Sequence, residues 1–486
     1  MCHRGIRRKV CWIATRKGCC AMGAMIHFGT DGWRARTDGD FTEENVVRVA
    51  AAAGRLWAQT APGAIVYVGF DTRNGAEGFA RLAGRVLAGH GLVAKVCDRY
   101  TPTPALCWTV SRDDRACGGF MITGSHNPND YLGIKLRVAD GGSGSAEFYE
   151  ELERAIDPDP TDARGPISQV DFVTPYLDHL TTLVDGDAIA AARLKVIYDP
   201  LYGSARNYLP EVLRSLGVEV AEIHGRADDE ADEIHPEPIE PWVDDCEQTV
   251  VATGACAGLL NDGDGDRVGA VDERGRFVSP QKIIALVLGH LVVNRGMSGR
   301  VVLNLSSSVV PRHVAKTLGC RLSVKPIGFK HIYVEMLKHD VLLGGEEAGG
   351  IGIPSHMPER DGLLMNLLLC ELMAMEGKPL GELVDMLEQA CGRYYYARRD
   401  LRLEGEIIEM LRTMLPGLNP PTVAGRTPVA VSHMDGLRLE FKDESWLLLR
   451  PSGTEPLVRV YAEAPTIEDR DELLDAGSAI ARGELL

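Results

Sequence analysis

The stretch AIVYVGFDTRNGAEGFARLAGRVLAGHGLVAKV, residues 64–96, predicts the architecture of the chain. A β-branched run is followed by a polar turn, an amphipathic helical pattern, a glycine stop and a second β-branched run. This order is typical of a βαβ unit. The same order recurs at residues 195–223 and 300–327, with different lengths. We therefore predict three similar α/β domains, each with a mixed or parallel sheet covered by helices.

The carboxyl-terminal part of the chain has a different pattern. Residues 431–464 alternate apolar and polar side chains in short runs, and residues 466–486 have a helical pattern. An antiparallel sheet with a helix on one face, an α+β module, fits this pattern. The predicted domains are residues 25–175, 176–290, 291–395 and 396–486, with residues 1–24 as a disordered or mis-started leader.

Length, charge and cysteine usage narrow the class of protein. The 486 residues are too many for one core, and at ~100–200 residues per domain three or four domains are expected. The net charge of −17 argues against general nucleic-acid binding, and no apolar run approaches the ~20 residues of a membrane span. Four of the 12 cysteines lie in the leader, and the other eight form no C-x-x-C pair. We expect reduced, mostly buried thiols in a cytoplasmic protein, without a zinc site.

The stretch NDGDGDRVGAVD, residues 261–272, predicts a divalent cation site. Asp262, Asp264 and Asp266 alternate with glycines that let the backbone curl, and three carboxylates leave positions open for outside ligands, as Mg²⁺ prefers. An EF-hand is a competing interpretation, but Arg267 stands where that loop requires glycine and the flanks have strand patterns. A solvated acidic turn is the other alternative.

Two further loops carry phosphate- or sugar-binding chemistry. In RPSGTEP, residues 450–456, an arginine, two hydroxyls and an amide could converge on a phosphate, although a plain hairpin turn has the same composition. In GGEEAGG, residues 344–350, carboxylates on a glycine-rich loop suit sugar hydroxyls, whereas Asp361 is better explained as a helix cap. Three cations could assist a phosphate or be surface residues, namely Arg34 in a glycine-flanked loop, Lys330 after Gly328, and Arg459.

The stretch MITGSHNPNDYLGIK, residues 121–135, places a serine on a tight turn after an apolar run. Ser125 could cap a helix or act as a nucleophile, which would need a proton acceptor and electrostatic help nearby. His126 is adjacent, and Lys135 could serve as an acid, a base or a phosphate clamp.

Together, TGSHNPNDYLGIK, DGDGDR, GGEEAGG and RPSGTEP closely resemble the loops of the α-D-phosphohexomutase superfamily, the phosphoglucomutases and phosphomannomutases. FGTDGWRA and GFDTRNG resemble the amino-terminal segment of that family, so the resemblance covers residues 28–464. It implies four domains around a central cleft and conversion between hexose 1- and 6-phosphates through a hexose 1,6-bisphosphate, which also serves as activator.

The resemblance also implies roles for individual residues. Ser125 would carry the phosphoryl group, one oxygen of which would complete an Mg²⁺ site with the three aspartates. Arg267 would steady that group, and Lys135 aligns with a lysine of proton transfer. With the residues singled out above, the expected set is Ser125, His126, Lys135, Arg34 and Arg267 for catalysis; Ser125, Asp262, Asp264 and Asp266 for the metal; and Lys330, Gly345, Glu346, Ala348, Arg450, Ser452, Gly453, Thr454 and Arg459 for substrate.

Three departures from the family pattern bear on the preferred sugar. Many members have serine where this chain has Ala348, the mannose-accepting branch often has histidine at Gly350, and the glucosamine branch usually has alanine at Gly124. We therefore expect glucose phosphate as the favoured substrate, with mannose phosphate as a second. A metal-dependent sugar phosphatase, a glucose 1,6-bisphosphate synthase and a non-catalytic sugar-phosphate sensor are the alternatives. We expect a monomer or homodimer.

Overall fold

The computed structural model describes residues 26–29, 31–161, 163–226, 234–452 and 456–484. The predicted leader, residues 1–24, lies outside them. The described residues form four sheets in chain order, three of them mixed and the last antiparallel. No helix among these residues has both the length and the apolar composition needed to cross a membrane.

The first sheet has the strand order β1-β5-β4-β2-β3-β6. Strands β2, β3, β4 and β6 pair in parallel, whereas β5 runs antiparallel to both β4 and β1. Its elements are β1 (Trp33–Arg36), α1 (Glu43–Thr60), β2 (Ile65–Phe70), α2 (Ala76–Gly89), β3 (Val93–Cys97), α3 (Thr103–Arg112), β4 (Ala116–Ile122), β5 (Tyr131–Val138), α4 (Ala146–Ala155) and β6 (Ile167–Val170).

The second sheet has the order β11-β10-β9-β7-β8, and the third has the order β13-β12-β14-β15. The elements of the second layer are α5 (Val173–Thr181), α6 (Gly186–Ala192), β7 (Lys195–Asp199), α7 (Tyr208–Ser215), β8 (Glu219–Glu222), α8 (Asp244–Thr253), β9 (Ala257–Asn261), β10 (Val268–Asp272) and β11 (Phe277–Val278). Those of the third are α9 (Pro280–Gly289), a π-helical turn (His290–Asn294), β12 (Arg300–Asn304), α10 (Val309–Thr317), β13 (Leu322–Lys325), α11 (Phe329–Met336), β14 (Val341–Gly345), β15 (Ile351–Gly352), α12 (Gly362–Glu376) and α13 (Leu380–Cys391).

The fourth sheet is antiparallel, with the order β16-β20-β19-β18-β17. Its elements are β16 (Tyr395–Arg402), α14 (Gly405–Met414), a 3₁₀ turn (Leu415–Gly417), β17 (Ala430–Ser432), β18 (Leu437–Glu440), β19 (Trp446–Pro451), β20 (Leu457–Ala464) and α15 (Ile467–Ala481). The prediction of three α/β layers followed by an α+β module is therefore confirmed, as are the three βαβ units at β2–β3, β7–β8 and β12–β13.

The apolar cores show how the layers are joined. One continuous core runs through the first three layers, whereas the fourth has its own core around residues such as Leu447 and Val460. A smaller apolar cluster connects the fourth layer to the third, with Trp446 packed near Leu305 and Val309. The first three layers thus share buried surface, and the fourth is attached to them through a narrower contact.

Candidate active site

The serine loop connects β4 to β5. Ser125 is buried and has a φ of 50°, the left-handed region that costs a non-glycine residue ~1–2 kcal/mol. Its Oγ donates to Asp262 Oδ2 at 3.3 Å and lies 3.5 Å from His126 Nδ1. Since no helix begins in the described residues 123–130, the helix-cap interpretation of Ser125 is wrong.

The aspartate loop connects β9 to β10, so its flanks are strands and the EF-hand alternative is excluded. The carboxylates of Asp262, Asp264 and Asp266 are fully buried, with oxygens within 4.8 Å of one another. Within the described part of the chain, Oδ1 of Asp264 and Oδ1 of Asp266 have no hydrogen-bond partner. Buried carboxylate oxygens that lack a donor are the ligands that a divalent cation requires, so the donor set fits Mg²⁺.

The electrostatics of this loop also favour a cation. Burial, and then the charges of Asp264 and Asp266, raise the pKa of Asp262 well above its usual value. Burial would likewise raise the pKa of Asp264, but the Lys135 ammonium 2.8 Å away outweighs it and lowers that pKa. The raised pKa of Asp262 shows that the cations already around the loop do not fully offset its three carboxylates, so a bound divalent cation would favour their ionised forms.

Lys135 lies on β5 with only 1% of its surface exposed. Its Nζ lies 2.8 Å from Asp31 Oδ2, 2.8 Å from Asp264 Oδ2 and 2.7 Å from Asp266 Oδ2. Although burial lowers the pKa of Lys135, these carboxylates raise it above the usual value. The side chain is therefore an ammonium at neutral pH, and these carboxylates make it hold its proton more tightly than an ordinary lysine.

The other three residues expected at the serine also lie beside it. Arg34 lies on β1 rather than in a loop, because β1 pairs with β5, and its Nη1 donates to Asn127 Oδ1 at 2.9 Å. The Arg267 guanidinium pairs with Glu237 at 2.8 Å. Burial, followed by the charge of Arg267, lowers the pKa of His126 well below its usual value, so its imidazole is neutral at pH 7.

The loop between β14 and β15 carries the predicted sugar-binding residues. Glu346 accepts a hydrogen bond from Gly328 N at 3.0 Å, and Glu347 accepts one from the Asn304 amide. Burial raises the pKa of Glu346 to about 7. Asp361 accepts from Leu364 N at 2.9 Å, so the prediction that it caps the following helix is confirmed.

The predicted phosphate-binding residues gather where the fourth layer faces the first. Arg450 on β19 is the register partner of Arg459 on β20, and Lys330 lies in the first turn of α11. Together with Ser452 they line a cavity of about 320 Å³. Gly453 and Thr454 lie outside the described residues.

A larger cavity, of about 500 Å³, lies between the four layers. Arg459 lines both cavities, so the two are neighbours. Of the predicted site residues, this larger cavity is lined by Arg34, His126, Arg267, Glu346, Ala348 and Arg459. Ser125, Lys135 and the three aspartates lie beneath this lining, and Gly345 lies on β14.

Several functional residues were not singled out from the sequence. Arg360, which lines the larger cavity, has Nη2 2.8 Å from Asp31 Oδ2 and 2.9 Å from Asp266 Oδ2. Arg398 on β16 lines the same cavity from the fourth layer. Arg73 Nη2 donates to Ser125 O in the serine loop at 2.8 Å. Arg73 lies in GFDTRNG, a segment that carries the family resemblance, and Arg360 immediately precedes the helix-capping Asp361; neither signal indicated which residues these side chains contact.

Four layers that enclose a cleft, with an acidic cation site beside a serine and cations at the far end, define a multidomain α/β enzyme of phosphoryl transfer. Models of the four domains of the phosphoglucomutase/phosphomannomutase family match the chain: domain I at residues 25–161, domain II at 174–275, domain III at 279–390 and the C-terminal domain at 423–477. The chain therefore belongs to the phosphoglucomutase/phosphomannomutase family of intramolecular phosphotransferases.

Individual relatives agree over almost the whole length. The chain is 30% identical over 464 residues to a "Phosphoglucomutase/phosphomannomutase" of Thermococcus kodakarensis, covering 93% of this chain and 97% of that one. It is 29% identical over 471 residues to a phosphoglucosamine mutase of Moorella thermoacetica, covering 94% and 99%. Among solved structures, a "putative phosphomannomutase" from Thermus thermophilus superimposes with a TM-score of 0.85 at 32% identity, covering 95% of this chain and all of that one.

Proposed function

We propose that the chain is an Mg²⁺-dependent mutase that interconverts hexose 1-phosphate and hexose 6-phosphate through a phosphoserine at Ser125 and a hexose 1,6-bisphosphate. The observation that carries the proposal is the 3.3 Å approach of Ser125 Oγ to Asp262, at the floor of a cleft whose far end holds Arg450 and Arg459. A phosphoryl group on this serine would stand beside the cation ligands and face the cleft.

The residues around Ser125 suit phosphoryl transfer, which depends on charge neutralisation and positioning more than on covalent help. A bound Mg²⁺ would neutralise charge on the group in transit. Arg267 and Arg34 line the cleft on that side and would hold phosphoryl oxygens. Lys135 and His126 would be the groups that move a proton to or from the oxygens in transit, and the Lys135 ammonium would also offset their negative charge.

The far end of the cleft would hold the second phosphate of the substrate. Arg450, Arg459 and Lys330 supply positive charge there, and Ser452 supplies a hydroxyl. Glu346 and Glu347 lie between the two ends and offer acceptors for sugar hydroxyls in either orientation. A bisphosphate could therefore turn over in the cleft and present its other phosphate to Ser125.

The sugar loop favours glucose phosphate, with mannose phosphate as a second substrate. Ala348 removes one hydroxyl contact, and Gly350 leaves no side chain at the end of the loop. The relatives named above include a phosphoglucomutase/phosphomannomutase and a phosphoglucosamine mutase, so all three sugars belong in the assay. We further propose that the enzyme works in the cytoplasm, in keeping with the eight free cysteines of the described chain.

The two neighbouring cavities argue for a mutase over the phosphatase alternative. The serine lies beneath the larger cavity, and the smaller cavity gathers Lys330, Arg450 and Arg459. A hydrolase has no need for both a sugar loop and a remote phosphate-binding loop. A sensor would have no need for the serine and all three aspartates together.

A coupled assay with glucose, mannose and glucosamine 1-phosphates, with and without the matching 1,6-bisphosphate, tests the proposal. We expect Ser125→Ala to lower turnover by a factor of about 10³ or more, as loss of a covalent nucleophile does elsewhere. Ser215→Ala, on α7 and remote from the cleft, is the matched control and should keep full activity. Wild-type turnover in Ser125→Ala would refute the phosphoserine, release of inorganic phosphate would indicate the phosphatase, and net bisphosphate formation would indicate the synthase.

A further inference from the structure

The backbone of the serine loop has a conformation that the serine does not itself favour. A φ of 50° at a non-glycine residue persists only where neighbouring groups hold it. Within the loop, Asn127 N donates to Gly124 O at 3.0 Å and Ser125 N to Thr123 Oγ1 at 2.7 Å. Tyr131 N also donates to Pro128 O at 3.0 Å, whereas the carbonyl oxygens of Ser125 and Asn127 take their donors from outside the loop.

One side chain supplies those donors. Arg73, in the turn that follows β2, directs Nη2 to Ser125 O at 2.8 Å and to Asn127 O at 2.5 Å. Its Nη1 donates to Tyr131 O at 3.1 Å and also to Pro128 O. A single guanidinium thus gathers four carbonyl oxygens from residues 125–131.

The turn that carries Arg73 also carries Asp71, which binds the backbone just before Ser125. Asp71 Oδ2 accepts from Gly124 N at 2.9 Å and lies 3.3 Å from Arg73 Nε. The loop approaches so closely that a Cβ at Gly124 would lie 2.3 Å from Arg73 Cζ. The backbone before Ser125 and the backbone after it are therefore attached to one buried ion pair.

Arg73 does not itself reach the substrate. It is 8% exposed, and neither described cavity has it in its lining. Any effect on the reaction must therefore pass through the loop that it holds. A lysine could reach the same place, but its three donors radiate from one nitrogen and cannot match a planar fork that serves four acceptors.

We propose that Arg73 is a positioning residue for phosphoryl transfer: its guanidinium, neutralised by Asp71, fixes the left-handed backbone of Ser125 and thereby aims Oγ at Asp262. This inference rests on the proposed function, in which Ser125 carries the phosphoryl group. Asp71 belongs to the same arrangement, because its carboxylate holds Gly124 N on one side of the serine and pairs with Arg73 on the other.

The test compares Arg73→Lys and Asp71→Asn, which removes the charge paired with Arg73, with the wild type in the coupled hexose-phosphate assay. We expect kcat to fall about 10²-fold in each variant, the cost of misplacing a reacting group by ~1 Å, whereas KM stays within about threefold because no substrate contact is lost. The control is Arg300→Lys, which changes another buried arginine fork, paired with Glu335 and Asp340 away from the cleft, and should leave kcat unchanged.

Two readouts separate positioning from a purely structural role. Incubation with hexose 1,6-bisphosphate followed by intact-mass analysis should show a lower phosphorylated fraction in Arg73→Lys at equal times. Added guanidinium should restore part of the kcat of Arg73→Ala, because the small cation can occupy the same set of carbonyls.

A failure of the Arg73 inference and a failure of the proposed function give different results. Wild-type kcat in a folded Arg73→Lys overturns the inference while mutase activity of the parent stands. If Arg73→Lys fails to fold, Asp71→Asn decides: a loss of kcat at an unchanged melting temperature supports the inference, and an unchanged kcat overturns it. An inactive parent protein refutes the proposed function, and the inference falls with it.

Discussion

Replacing Glu346 by glutamine should stabilise the protein at high pH. The carboxyl group is 8% exposed, and burial raises its pKa from 4.5 to about 7. Below the pKa of the unfolded state, such a carboxyl is protonated in both states and does not change the free energy of unfolding. As the pH rises from the unfolded pKa to the folded pKa, the unfolded state ionises first, so the free energy of unfolding falls. At ~1.36 kcal/mol per pKa unit, the wild type loses about 3 kcal/mol by pH 8 and under about 1 kcal/mol at pH 5.

The Glu346→Gln variant avoids this loss because glutamine has similar size, keeps an oxygen for Gly328 N–H and does not ionise. Its melting temperature, measured by thermal denaturation across pH 5–8, should exceed that of the wild type by roughly 3–4 °C at pH 8 and by far less at pH 5. Activity should fall, since a sugar-binding acceptor is lost. A variant that melts with the same pH dependence as the wild type, or that is less stable at pH 8, would refute the argument that burial of this charge costs stability.

Two further changes test the cation site and the attachment of the fourth layer. Asp264→Asn should raise the Mg²⁺ concentration needed for half-maximal activity at least about 10-fold. The control is Asp244→Asn, in the exposed cluster of Glu240, Asp244 and Glu247, which should leave that concentration unchanged. An Mg²⁺ titration of Asp264→Asn equal to that of the wild type would contradict the metal assignment. Glu463→Ala should lower the free energy of unfolding by about 2–5 kcal/mol, because Trp446 Nε1 and Val309 N both lose their buried acceptor. Limited proteolysis should then release the fourth layer faster than in the wild type. An unchanged rate of cleavage would contradict the role of Glu463 in attaching that layer.

The sequence was sufficient to predict those parts of the site that are contiguous in the chain. The aspartates of residues 262–266 converge because they share one turn between two strands, and β9 and β10 have clear strand patterns. The serine turn and the sugar loop are likewise each formed by one continuous stretch of the chain between two strands. Local spacing therefore predicted which side chains share a loop.

What the sequence did not reveal depends on contacts between distant segments. Arg34 lies on a strand of four residues, too short for an alternation pattern, and that strand exists because it pairs with β5 at Gly133. Arg73 and Arg360 have no local pattern that separates them from surface arginines. Their importance follows from the residues they meet after folding, such as the carbonyl of Ser125 and the carboxylate of Asp31.

The buried charges of the site also join the first three layers. Lys135 from the first layer contacts Asp264 and Asp266 of the second, and Arg360 from the third contacts Asp266 and, in the first layer, Asp31. Removing one member of this network would leave a partner charge buried and unpaired, which lowers the free energy of unfolding by ~3–5 kcal/mol. Substitutions in the network should therefore lower stability and activity together. Arg450 and Arg459 lie instead in a layer with its own core, where changes should weaken substrate retention and leave the cation site intact. The separate core of the fourth layer therefore fits the proposed division between a fixed reaction centre and a separate layer that holds the second phosphate.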